Sequence, residues 1–158
     1  MMTVPREQPW WLHYMRTCRF SDGGRDGALL DCFGLLRLVY QQELGITLST
    51  WPSVTLDDLV SRAEDLTATP YTSGFTPVET GLERAFDAAV IRRPIPVAGR
   101  LRRGWWHVGV VTRPGHLLHI DYHQGPVEVA FRDTAERLAS PILQTRHVRL
   151  FRHAEMLP

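Results

Sequence analysis

The sequence predicts an α+β domain in which helices come first and a small antiparallel sheet follows. Two observations carry that prediction. Up to Leu66 the apolar residues recur at helical spacing: Leu35, Leu36, Val39 and Tyr40, then Leu56, Leu59, Val60, Ala63 and Leu66. Beyond Phe86 they fall into short β-branched and aromatic runs bounded by Gly and Pro. Helices followed by strands, with no alternation of the two, is the α+β order.

Taken in order, Trp10 to Met15 reads as a short amphipathic helix or an extended lead-in. Ser21 to Gly27 holds three glycines and two aspartates, a loop that needs unusual backbone angles. Asp31 is an N-cap type residue, so Cys32 to Leu44 is a helix, with Gly45 as its stop. Thr55-Leu56-Asp57-Asp58 resembles a capping box and opens a second helix that runs to Leu66. Thr67 to Pro77 contains Pro70, Gly74 and Pro77 and reads as loop; a further helical turn or two covers Glu79 to Phe86. The strands are Ala88 to Ile91, Trp105 to Thr112, Leu117 to Tyr122, Val127 to Phe131 and Thr145 to Phe151, with a short helix Asp133 to Ala139 before the last. Between the first two strands, the arginine-rich stretch Arg92 to Arg103 reads as a solvated loop.

A chain of 158 residues is one domain's length, and residues 1–158 are read as a single unit. A net charge of +1 gives no general pull toward nucleic acid. With only Cys18 and Cys32 there is neither a disulfide framework nor a Cys-x-x-Cys pair, which fits a reducing cytoplasm. Met1 to Met15 has no apolar run long enough for a signal peptide or a membrane span. The expectation is a protein without a signal peptide and without membrane insertion.

Chemistry is expected at Cys32. It stands where a Gly-rich loop runs into a helix, and the unpaired N–H groups and positive dipole end there favour a thiolate. His107 and His119 lie on the two central strands, joined by Arg113-Pro114-Gly115. A three-residue hairpin loop with Gly in the left-handed position suits that sequence; Thr112 then faces His116, and Gly109 faces His119. In this register His107, Gly109, Val111, Leu117, His119 and Asp121 share a face, and the two imidazoles are diagonal neighbours. His107 would take the Cys32 proton to give a thiolate–imidazolium pair, and His119 would orient the ring. Amide N–H groups at the helix start would hold the oxyanion, which makes acyl transfer to water the natural reaction.

These motifs resemble the NlpC/P60 family of cell-wall cysteine peptidases. The likeness rests on Asp31-Cys32-Phe33-Gly34 for the nucleophile, His107-Val108-Gly109 for the base and His119 for the third polar residue. Within the family, Phe33, the helix Gly34-Leu35-Leu36-Arg37-Leu38-Val39-Tyr40 and the late Phe151-Arg152-His153 are similar to stand-alone peptidases of phage tails and gene-transfer particles. The resemblance implies a papain-like fold and cleavage of peptidoglycan stem peptides. Cys32, His107 and His119 are the implied catalytic residues; Phe20, Gly24, Asp31 and Asp121 are the implied substrate-binding positions. It implies no cofactor and no metal. The implied partners are peptidoglycan peptides and tail-tip or hub proteins, with the virion tail tip as location. One position departs from the pattern. Family members commonly carry tyrosine twelve residues before the cysteine, and Phe20 stands there, removing a donor worth ~3 kcal/mol in such a site.

Other readings of the same residues stay open at this point. Cys32 is alternatively an inert core thiol, and Cys32 with the two histidines would also suit zinc. A structural tail-tip component that keeps the peptidase fold, or an acyltransferase, would carry the same motifs.

Overall fold

The computed structural model describes residues 8–22, 24, 29–48, 66–67, 74–121, 125–132 and 147–156. Among these are helices α1 (Trp11–Thr17) and α2 (Cys32–Val39) and a short parallel pair, β1 (Arg19–Phe20) with β2 (Leu29–Leu30). The main sheet contains β3 (Phe75–Val78), β4 (Ala88–Val97), β5 (Arg100–Arg113), β6 (His116–Asp121), β7 (Gly125–Ala130) and β8 (Val148–His153). Its order is β3-β8-β4-β5-β6-β7, antiparallel throughout, so the chain has the expected α+β class.

α2 starts as its sequence requires. Asp31 is extended (φ −89°, ψ −175°), and its side chain accepts from the Gly34 N–H at 2.7 Å, satisfying one of the orphan donors of the first turn. Leu35, Leu36, Val39 and Tyr40 are buried, which is the apolar face read from the spacing. From Tyr40 to Leu44 the helix widens into a π turn, closed by Gly45 at φ +67°. Two long-range bonds tie that turn to other elements: the Tyr40 hydroxyl donates to the Phe86 carbonyl, and the Tyr14 hydroxyl donates to Glu43 Oε1 at 2.9 Å.

The sheet has an apolar cluster on each face. Val108, Val110, Leu118, Ile120, Ala88, Val90 and Phe151 join α1 and α2 in one of them. Ala89, Ile91, Val111, Leu117, Phe131, Val148 and Leu150 form the other.

Several expectations are corrected. Residues 79–86 are turns, not helix. Gly81 sits at φ +102°, and side-chain carboxylates take the N–H groups that a helix would bond internally: Glu83 accepts from Gly81, and Asp87 from Arg84. Phe75–Val78 is an edge strand rather than loop, a place where Pro77 costs no ladder bond. Arg92 to Arg103 is not a loop but the paired end of β4 and β5, reversing at Ala98 and Gly99, both at positive φ (49° and 78°). At the β5–β6 turn, Arg113 pairs with His116 and Thr112 is the extra residue, so the expected Thr112–His116 pair does not form. Gly115 is left-handed (φ +79°), and Val110 pairs with Leu118, the register expected for the rest of the hairpin. The helix expected over Asp133 to Ala139, and that over Thr55 to Leu66 apart from Leu66 itself, fall outside the described residues.

Candidate active site

Cys32 is the first residue of α2 and is half-buried. Backbone bonds bracket its position: Ser21 donates to Leu30, Gly24 to Ser21, and Asp31 to the Gly24 carbonyl, all between 2.8 and 2.9 Å. Gly24 and Asp31, expected on the substrate side, thus build the start of the helix. Phe20 pairs with Leu30, two residues before Cys32, and packs against the first apolar cluster.

The histidines meet. His107 Nε2 lies 2.9 Å from His119 Nδ1, with the rings edge-to-face. A glycine is needed between their strands. A Cβ at Gly109 would come within 2.8 Å of the Leu118 carbonyl oxygen, a backbone clash, and within 3.4 Å of the His119 Cβ. If Nδ1 of His107 is to accept a proton, Nε2 carries its hydrogen and donates to His119 Nδ1.

The pairing of β5 with its neighbours gives the face that the imidazoles occupy. α2 lies on the face of Val108, Val110, Leu118 and Ile120, and Cys32 packs against that cluster. His107 pairs with Ile91, and a Cβ at Gly109 would touch both Leu117 and His119; Ile91 and Leu117 belong to the second cluster. Both imidazoles therefore stand on the face turned away from α2. The structure joins His107 to His119 and leaves the helix of Cys32 on the opposite side of the sheet. They share one end of it, however. Continuing the β5–β6 register sets Asp121, the last residue of β6, across from His107, and Asp121 pairs with Gly125 of β7. A Cβ at Gly125 would sit 3.3 Å from the Cys18 carbonyl, next to β1, whose partner β2 leads into Cys32. Of Asp121 only the backbone belongs to the described residues.

Sequence reasoning missed the bulge beside His107 and the carboxylate that holds the far end of the β5–β6 hairpin. Trp106 is the extra residue where the β4–β5 register shifts, directly before His107. Glu83 is a buried carboxylate that holds the hairpin tip: it accepts from the Gly115 N–H at 2.8 Å and pairs with Arg132 at 2.6 Å. Burial works against its charge, but the N–H groups of Glu83, Gly81 and Gly115 and the Arg132 guanidinium outweigh it and hold its pKa below the usual carboxylate value. A lone Glu in a turn gives no sequence signal for such a role. Among the described residues no group of three His, Cys, Asp or Glu side chains is placed to hold a metal ion.

No protein-family model and no curated protein sequence matches the chain. Among solved structures it is similar to the NlpC/p60 domain of peptidoglycan hydrolase SagA, at 21% identity over 75% of this chain and 81% of that one, with a TM-score of 0.47.

Burial, followed by the charges of His119 and Arg93, pushes the pKa of His107 well below 6.5. The ring is neutral at pH 7, a base awaiting a proton rather than half of a resting thiolate–imidazolium pair. The same shift predicts a pH dependence of stability. Above pH 6.5 the ring is neutral folded and unfolded alike; below it the unfolded chain takes up a proton that the folded protein resists. Stability is therefore full above that value and declines as pH falls toward the folded pKa, by up to about 1.4 kcal/mol per pH unit. Urea melts of wild type and His107→Gln should show the extra acid sensitivity in wild type alone. Equal slopes below pH 6.5 would mean the ring is not buried neutral.

Proposed function

We propose that the chain is a cysteine peptidase of the NlpC/P60 kind, hydrolysing an amide bond in peptidoglycan stem peptides and carried at a phage tail tip. The observation that carries the reading is the His107 Nε2–His119 Nδ1 bond. In this reading it orients a buried neutral base through one nitrogen and leaves the other for proton transfer. The Asp31-capped Cys32 at a helix start supplies the nucleophile type that such a base serves.

In the proposed cycle, the Cys32 thiol gives its proton to His107 Nδ1 and the thiolate attacks the peptide carbonyl. The Asp31 cap takes the Gly34 N–H, and the oxyanion is met by the first-turn N–H groups of α2, that of Cys32 included. His107 then protonates the leaving amine, and a water activated by the same ring releases the acyl group. Because α2 and the imidazoles flank opposite faces, the thiol-to-imidazole transfer is the step of this cycle most open to test.

The face separation, together with Phe20, favours a second reading: a tail-tip component that keeps the fold and binds without cutting. One assay separates the two. The purified chain, incubated with cell-wall sacculi, should release peptides whose masses report a hydrolysed amide bond. Intact sacculi at every enzyme concentration, with particles that fail to assemble when the gene is removed, would support the binding reading instead.

A further inference from the structure

Past Ile91 and His107 the sheet narrows to a ribbon. β8 pairs with β4 only over Ala88 to Ile91, and the β5–β6 pairs lie between Val110 and Arg113, whereas β4 and β5 stay paired from Arg92–Trp105 out to Val97–Arg100. Six residue pairs at strand rise make an arm of roughly 20 Å. It carries five arginines, and no acidic residue occurs between Asp87 and Asp121. Arg92, Arg100, Arg102 and Arg103 are exposed. The pairing places Arg92, Arg103 and Leu101 on one side of the ribbon and Arg93, Arg102 and Arg100 on the other. The two sides of the arm differ in charge: Pro94-Ile95-Pro96-Val97-Ala98-Gly99 bears none, whereas β5 brings Arg100 opposite Val97 at the last pair, and Leu101, 71% exposed, lies between Arg100 and Arg102.

We propose that this arm docks the protein on an anionic lipid bilayer, the exposed Leu101 entering the interface and the arginines around it meeting the headgroup phosphates. An exposed leucine set among arginines suits an anionic interface, since each part loses water to the layer it matches. Arginine suits phosphate through its planar, bidentate donors. A nucleic acid would use the arginines but has no use for an exposed leucine among them. A partner strand added to the β4 edge is disfavoured, because Pro94 and Pro96 lack the N–H that pairing needs. This inference is independent of whether Cys32 is a nucleophile.

The test is sedimentation of the full chain with phosphatidylcholine vesicles, with and without phosphatidylglycerol. Binding is expected on the anionic vesicles only, weakening as salt rises. The triple variant Arg100→Gln, Arg102→Gln, Arg103→Gln should lose roughly tenfold or more of it. Leu101→Ser, with every charge kept, should also weaken it, by about threefold or more. These substitutions lie on the exposed arm, and a thermal melt matching wild type confirms that the fold is kept. Equal binding to both vesicle types, binding to neither, or capture by duplex DNA with none on anionic vesicles would each overturn the proposal.

Discussion

Replacing Cys32 with alanine should abolish amide hydrolysis of sacculi while leaving the fold intact. A thiol-dependent acyl transfer has no pathway without the sulfur, so the rate should drop to the uncatalysed background. His107→Ala, which removes a general base, should cost ~10²–10⁴ in kcat. The fold should survive the Cys32 change. The residue is half-buried at a helix start whose cap is the Asp31 side chain, not the thiol. A melting temperature within about 2 °C of wild type, alongside lost peptide release, is the expected pair of results. Undiminished release by Cys32→Ala would remove the nucleophile assignment altogether.

The largest effect on stability is expected at Glu83. Its side chain is fully buried, and its two oxygens hold Gly81, Gly115 and Arg132. Glu83→Ala leaves two backbone N–H groups and a guanidinium without their acceptor, and breaking a buried pair in this way costs about 3–5 kcal/mol. Arg132 keeps 30% side-chain exposure, so water compensates part of its loss and the lower figure applies. For a domain of this size that is a fall in melting temperature of roughly 6–12 °C. Glu83→Gln keeps the acceptor shape and should lose less. A Glu83→Ala protein that melts with wild type would show that the hairpin tip does not depend on this carboxylate.

Different parts of this molecule were legible in its sequence for different reasons. α2 could be read because both ends are marked by backbone chemistry, Asp31 as cap and Gly45 as left-handed stop. The β5–β6 hairpin could be read beyond its turn, since Gly115 takes the left-handed position; the turn itself pairs Arg113 with His116, and the extra residue Thr112 restores the parity that brings His107 to His119. The arm at Arg92 to Arg103 could not. Its strands are held by main-chain pairing, to which side-chain charge is indifferent, so arginines and prolines suggested solvent and loop. Nor could the face that α2 covers be read. Alternation along a strand says which residues stand together, but a helix chooses between the two faces through the path of the chain leading to it, here β1 and β2.

Thiol–imidazole coupling is the point on which the enzymatic account stands, and the pH profile of Cys32 alkylation measures it most directly. Cys18 is buried with its pKa raised by burial, so mass-mapped iodoacetamide labelling reports Cys32 separately. In the presence of a stem-peptide substrate analogue that does not react, the account predicts an apparent thiol pKa below the free-cysteine value of about 8.5, shifting upward in His107→Ala. Superimposable profiles for the two proteins would show that sulfur and imidazole remain on their separate faces, and the peptidase reading would be contradicted.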